Sequence, residues 1–395
     1  MEKTIRQQYN AAFSQEAYQE MLQEMNTKYD YEVQFRVAET PVFLTNDFRD
    51  KVLQAGNEIA DFVQQPEFIA LSESAIPKEF YVPNDPHHTE MIAIDFAICK
   101  DELGNYTPQL IEIQGFPSLY GFQHFCCQMY QKHFDIPKHY TCLFGGKTDE
   151  EYVNWLKEVI LNGHAPENVI LLEIEPRKQK TAIDFWIMEA HTGIESVCIS
   201  EVILEGKKLY YMKNGEKTPI YRIYNRTIFD ELQPRTDLKR EFNLTEEVDV
   251  EWVTHPNWFF RISKYTLPYL KSQFVPSTTF VKDLTEIPSD LENYVLKPLF
   301  SFAGQGVIIN VKKEDIENVD DPSNWILQKK VQYVPIFEDP NGVGVKAEIR
   351  LLYLWDKTQN KCVPATTLGR LSKGLMIGVR YNKDFDWVGA TGYFF

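Results

Sequence analysis

Helix-like and strand-like segments alternate between Thr148 and Tyr224, and this alternation constrains the fold more than any other feature. Residues 150–161 have the apolar spacing of an amphipathic helix, and residues 168–174 (NVILLEI) form a short apolar run typical of a strand covered on both faces. Residues 181–190 return to helical spacing and residues 196–202 to a strand pattern. Such alternation predicts a small α/β unit built on a parallel sheet.

A strand-turn-strand pattern precedes this unit in residues 91–115, with Gly104-Asn105 at the turn. Glu112 and Gln114 lie two residues apart on the second strand, so their side chains face the same way, and Asp95 lies on the adjacent strand. Carboxylate and amide oxygens in this arrangement are candidate ligands for Mg²⁺. The alternative is an ordinary solvated strand face.

A glycine-rich loop follows Lys297 within residues 294–311 (YVLKPLFSFAGQGVIINV). We expect a strand on each side of this loop, which contains Ser301, Gly304 and Gly306. Glycines let backbone N–H groups approach phosphate oxygens, and a lysine is a compact charge for them. The spacing matches neither the Walker A loop nor the dinucleotide fingerprint. The alternative is a simple turn.

Three later segments complete the candidate residues. Residues 326–334 (ILQKKVQYV) predict a strand whose polar end could contact an adenine edge, or an ordinary strand end. Glu348 and Arg350 share one face of a strand and are candidate site residues. The alternative is a buried ion pair, which would have the same spacing. Arg370 and Lys373 are either a surface basic cluster or, in so acidic a protein, an anion site.

Composition excludes several classes of function. The formal net charge of −16 disfavours nucleic acids and anionic membranes as partners. The six cysteines lack the spacing of a zinc site, and no stretch approaches the roughly 20 apolar residues of a membrane span. The first residues are polar without an apolar signal run, so we expect a cytoplasmic protein with free thiols.

The order of these candidates along the chain resembles that of the circularly permuted ATP-grasp ligases. The likeness is to the eukaryotic-type glutathione synthetases and, more loosely, to the glutathionylspermidine synthetases. It covers roughly residues 90–385 and includes an α/β insertion between the early acidic motif and the late basic ones. Lys264 is similar to the first ATP lysine of that family, and Lys297 to the second.

The resemblance implies a role for each candidate residue. Metal ligands would be Asp95, Glu112 and Gln114. The nucleotide would be bound by Lys264, Lys297, the loop residues Ser301, Gly304 and Gly306, the adenine strand Gln328, Lys329, Lys330 and Val331, and Glu348 near the ribose. Arg370 and Lys373 would bind substrate.

Three positions depart from the family pattern. Gln114 stands where the family has Asn, Ser301 where it places an acidic residue, and Ala93 where a substrate-contacting Arg precedes the early Asp. The third carboxylate of the metal site is therefore missing from its usual place, and we expect a different substrate.

We therefore expect an α/β (α+β) protein with an ATP-grasp fold, an inserted parallel α/β substrate domain and an N-terminal helical region. The expected segments are residues 1–85, 86–140, 141–256 and 257–395. The implied function is an ATP- and Mg²⁺-dependent carboxylate–amine ligase that forms an acyl phosphate. Its partners would be small-molecule carboxylate and amine substrates, and the family also suggests a homodimer. An ATP-grasp kinase and a non-catalytic nucleotide-binding protein are the alternatives.

Overall fold

The computed structural model describes residues 1–116, 118–300, 306–374, 377, 382 and 384–395. Its helices are α1 Lys3–Ala12, α2 Gln15–Thr27, α3 Asn46–Val63, α4 Pro66–Ser72, α5 Tyr120–His133, α6 Asp149–Leu161, α7 Ala182–Thr192, α8 Phe229–Leu232, α9 Trp258–Arg261 and α10 Lys313–Glu317. Its strands are β1 Val42–Phe43, β2 Met91–Lys100, β3 Tyr106–Gln114, β4 Val169–Glu173, β5 Glu195–Cys198, β6 Ile203–Glu205, β7 Lys208–Lys213, β8 Glu216–Ile220, β9 Arg222–Asn225, β10 Glu251–Val253, β11 Thr278–Phe280, β12 Tyr294–Pro298, β13 Trp325–Lys329, β14 Pro335–Glu338, β15 Gly344–Asp356, β16 Lys361–Ser372, β17 Gly389–Thr391 and β18 Tyr393–Phe394. The mixed α/β class predicted from the sequence is confirmed.

The largest sheet is antiparallel, with the order β17-β16-β15-β2-β3 and with β14 paired to β15. The predicted hairpin of residues 91–115 supplies β2 and β3. Helix α3 packs on one face, where Gly56 lies against Leu351 and Tyr353 of the central strand β15. Residues that alternate with these two point to the opposite face, which carries the candidate site.

A second sheet is parallel, with the order β10-β9-β4-β5, and confirms the predicted α/β unit. Helix α6 begins with a capping box between Thr148 and Glu151 and precedes β4. Helix α7 ends at Thr192 and is followed by Gly193, whose φ of 81° is the left-handed conformation that favours glycine. Strands β6, β7 and β8 form an antiparallel meander between β5 and β9.

A third sheet is small and antiparallel, with the order β11-β13-β12. It packs on its own apolar cluster, which includes Leu296, Leu327 and Ile316. The prediction of a second strand after the glycine-rich loop is wrong. Ile308 makes an isolated bridge to Leu296 that does not extend into a strand.

Lys264 lies at the start of a 3₁₀ helix, Lys264–Tyr269, that follows α9. A continuous α-helix through this segment would suit its composition, but Pro268 has no backbone N–H to donate and its ring crowds the preceding turn. The segment consists of two short helical pieces, and Lys264 is buried where the second begins.

The N-terminal region contains helices α1 to α4, as expected. It also contains β1, which pairs in parallel with β18, so that Val42 opposes Tyr393 near the end of the chain. The boundaries of the four expected segments stay predictions. Among the described residues, no helix combines the length and apolarity needed to cross a membrane.

Gly56→Ala should destabilise the protein, although alanine favours a helix interior over glycine by about 1 kcal/mol. A Cβ at Gly56 would lie 2.3 Å from Leu351 Cδ1 and 2.4 Å from the Tyr353 hydroxyl oxygen, and both side chains are fully buried. We expect a net loss of about 1–3 kcal/mol in the free energy of unfolding, measured by urea denaturation. The exposed Gln54→Ala on the same helix should change it by less than about 0.5 kcal/mol. Unchanged or increased stability of Gly56→Ala would contradict this packing.

Candidate functional site

A row of charged side chains crosses the face of the largest sheet opposite helix α3. In the strand register, Arg350 on β15 opposes Asp95 on β2, and Asp95 opposes Glu112 on β3. Two residues before Arg350 on β15, Glu348 opposes Arg370 on β16. Because residues directly opposite or two apart share a face, the register brings all five side chains together.

The two arginines hold two of the three carboxylates in ion pairs. Arg350 binds Asp95 through Nε and Nη2, with 2.6 Å from Nη2 to Oδ2. Arg370 Nη2 lies 2.8 Å from the same Oδ2 and also binds Glu348 Oε1. The Tyr333 hydroxyl donates to Glu348 Oε2 at 3.0 Å. Asp95 and Glu348 are buried, so these contacts offset the cost of desolvating them.

The pKa values follow from this balance. Burial alone would raise the pKa of Asp95, but Arg350 and Arg370 outweigh it and lower that pKa. Burial raises the pKa of Glu348, and Arg370 opposes this only in part. Although burial works against its charge, the pKa of Arg370 is raised because Glu348 and Asp95 favour the guanidinium. Asp95 is thus held ionised between two cations.

Glu112 is the carboxylate of the row that is most open to solvent, with 32% of its side chain exposed. Gln114 Nε2 donates to Glu112 Oε1 at 2.8 Å, and Arg350 Nη2 lies 3.9 Å from the same oxygen. The fold therefore does bring Asp95, Glu112 and Gln114 together, as predicted. Within the described ranges, however, no group of three or more His, Cys, Asp or Glu is placed to hold a metal ion.

Two lysines approach Glu112 from other elements. Lys297 on β12 donates from Nζ to Gln328 Oε1 at 2.6 Å, and Gln328 in turn donates to Thr278 Oγ1 at 3.1 Å. Burial lowers the pKa of Lys297 to about 8; the charge of Glu112 opposes this change and that of Lys264 adds to it. Burial also lowers the pKa of Lys264, against the charge of Glu112. Both lysines therefore have a weakened proton affinity, and the charge of Glu112 acts on both.

A pocket opens where these elements meet. It is lined by the end of β3, the segment from α9 to Lys264, and the residues just after β12. Its walls include Glu112, Gln114 and Lys264, together with the aromatic side chains Phe116, Phe259 and Phe300. The pocket therefore pairs apolar surface with groups of both charges, an arrangement suited to a small polar ligand.

The remaining predicted residues lie elsewhere in the fold. Gly306 has a φ of 70°, and a Cβ there would lie 3.1 Å from Pro298 Cγ, so glycine suits this turn. Ser301 and Gly304 fall outside the described residues. In the segment predicted to contact an adenine, Val331 follows the end of β13, and the backbone N–H groups of Lys329 and Lys330 donate to the carbonyl oxygens of Ser277 and Asn293.

Lys373 is engaged by carboxylates outside the row. Its Nζ donates to Asp339 at 2.5 Å and to Asp386 at 2.7 Å, with 4% of the side chain exposed. Burial would lower its pKa, but these hydrogen bonds outweigh the effect and raise it. These two ion pairs connect the end of β16 to the loops around Asp339 and Asp386, and a substrate anion would have to compete with both carboxylates.

Two residues of the site were not assigned a role from the sequence. The sequence did give a signal for Arg350, because it lies two residues from Glu348 on one strand and this spacing suggested a buried ion pair. Tyr333 gave no signal, because its contact with Glu348 depends on how the segment between β13 and β14 crosses the sheet.

The comparisons with known proteins support the fold. No family model matches the chain, and no curated protein matches it either. Among solved structures, the chain is similar to a glutathione synthetase-like effector from Globodera pallida in its apo form, with a TM-score of 0.56 and 10% sequence identity. The match covers 91% of this chain and 95% of that one. At this identity the similarity concerns the fold: a mixed α/β protein of a glutathione synthetase-like shape.

Lys297 should make stability depend on pH in a defined window. Its pKa of about 8 in the folded protein lies below the ordinary 10.5, so between these values the unfolded chain binds a proton that the folded protein does not. Stability from this group therefore rises with pH across that window. Lys297→Met should remove the rise, measured as urea unfolding free energy against pH.

The exposed Lys313→Met, on α10, is the matched control and should leave the pH profile unchanged. If Lys297→Met and the wild type have parallel profiles, the lowered pKa of Lys297 is refuted.

Proposed function

We propose that this protein is an ATP-grasp ligase that uses ATP and Mg²⁺ to join a small-molecule carboxylate to an amine. The observation that carries the proposal is that Lys264 and Glu112 line one pocket, while Lys297 lies near enough to both for their charges to act on its pKa. These residues come from three separate segments of the chain. The similarity of the whole fold to a glutathione synthetase-like effector is a second, independent support for the proposal.

The two lysines suit a triphosphate. Burial lowers the pKa of both lysines, and the charge of Lys264 lowers that of Lys297 further; a polyanion would oppose both effects. Phosphoryl transfer depends mainly on positioning and on charge neutralisation. Strand β12 positions Lys297, and the start of the 3₁₀ helix positions Lys264. The hydrogen bond from Lys297 to Gln328 would direct its ammonium group along the small sheet, where the adenine is proposed to lie.

The residues present fit a magnesium ion that arrives with the nucleotide. Mg²⁺ is commonly held by one or two carboxylates, with the remaining positions filled by phosphate oxygens and water. Glu112 can supply one such carboxylate, since it is partly exposed and faces the lysines. When bound, the metal ion would neutralise charge on the transferring phosphoryl group.

Arg370 suits the substrate carboxylate. Its Nη2 is occupied by Asp95 and Glu348, but its buried Nε has no hydrogen-bond partner among the described residues. A guanidinium offers several donors in a planar fork that matches a carboxylate. The amine would then attack the carbonyl carbon of the acyl phosphate, forming the amide C–N bond as the acyl C–O bond breaks and phosphate and a proton leave. Amino acids, short peptides and polyamines are the classes of amine to test.

A second candidate function is nucleotide binding without catalysis. It is favoured by the contacts of Arg370, because both Glu348 and Asp95 must share this arginine with any substrate. The fold does not decide between the two functions, since related folds host different chemistries.

Lys297→Ala should weaken ATP binding by about tenfold or more, because a charge-assisted hydrogen bond contributes about 1.5–3 kcal/mol. The measurement is calorimetric titration with a non-hydrolysable ATP analogue and Mg²⁺. Lys313→Ala removes an equal charge from the exposed surface of α10 and should bind as the wild type does. Equal affinities of all three proteins would refute the nucleotide site.

ADP release should require both a carboxylate and an amine, and should be lost in Lys297→Ala. The measurement is a coupled assay for ADP across amino acids, short peptides and polyamines in the presence of Mg²⁺. A stable phosphorylated product without an amine would indicate a kinase, and binding without turnover would indicate the second candidate.

A further inference from the structure

Arg350 lies between the two acidic side chains predicted as metal ligands. Its side chain is buried. Its Nε donates to Asp95 Oδ1 and its Nη2 to Asp95 Oδ2, and the same Nη2 lies 3.9 Å from Glu112 Oε1. We propose that Arg350 takes the place of a divalent cation between Asp95 and Glu112. The face then binds no metal ion by itself and receives one only together with a triphosphate, an inference that rests on the function proposed above.

Charge and distance both oppose a metal ion in this row. A ligand oxygen lies about 2 Å from bound Mg²⁺, so an ion on Glu112 Oε1 would lie no more than about 6 Å from Arg350 Nη2. A guanidinium is permanently charged, and the buried setting weakens solvent screening of the repulsion. To reach Asp95 as well, the ion would have to displace the bidentate pair and the contact with Arg370.

Gln114 strengthens this conclusion. Its Nε2 donates to the same Oε1 atom that Arg350 approaches, so this oxygen of Glu112 already faces two donors. A triphosphate changes the balance, because it brings negative charge and its own ligand oxygens while Lys264 and Lys297 share its charge. Arg350 thereby makes metal binding conditional on nucleotide.

The test is titration with Mn²⁺ without nucleotide, in which free Mn²⁺ is measured by electron paramagnetic resonance. We expect the wild type to show no Mn²⁺ site that Glu112→Gln removes. Arg350→Met should gain a site at least about tenfold tighter, because the competing cation is gone. Adding Glu112→Gln to Arg350→Met should abolish this gain. The control is Arg177→Met, which removes an equal charge from a surface ion pair with Glu189 and should behave as the wild type.

A Mn²⁺ site in the wild type that Glu112→Gln removes would overturn the inference, and so would a folded Arg350→Met that binds Mn²⁺ no better than the wild type. If Arg350→Met does not fold, the paired change Asp95→Asn with Arg350→Gln keeps a neutral hydrogen-bonded pair, and it must show the gain at Glu112. The titration contains no nucleotide, so a failure to bind ATP would refute the proposed function without altering this result.

Discussion

The pairing of Arg350 with Asp95 is the interaction on which the site depends. Both side chains are buried in the largest sheet, where an unpaired charge would be strongly destabilising, by about 3–5 kcal/mol. The bidentate contact fixes the side chains of β15 and β2 relative to each other, and Arg370 extends it to β16. The positions of Glu348 and Glu112 on either side follow from the strand register.

The cleft divides charge between two sheets. The largest sheet contributes carboxylates that are mostly neutralised by arginines, while the small sheet and the 3₁₀ helix contribute lysines with lowered pKa values. A chain with a net charge of −16 thus places two lysines beside the carboxylate of Glu112. Glu112 links the two groups of charges. Its carboxylate lies 3.9 Å from Arg350 Nη2, and its charge opposes the lowering of the pKa of both lysines.

Much of the fold was readable because its signals are local. The alternation of helix and strand predicted the parallel sheet, and the turn at Gly104-Asn105 predicted the β2–β3 hairpin. The period of two placed Glu112 with Gln114, and Glu348 with Arg350, on shared strand faces. One local expectation was wrong: where a strand was expected after the glycine-rich loop, Ile308 makes only a single bridge.

By itself the sequence determined which side chains carry charge and which of them share a strand face, because side-chain direction in a strand alternates with every residue. Only the tertiary structure decided which of these charged side chains contact each other. That Arg350 opposes Asp95, and that Lys297 approaches Glu112 from another sheet, depends on strand register and on the packing of segments far apart in the chain. These relations are set by the packing of the whole core, which no local pattern of residues encodes.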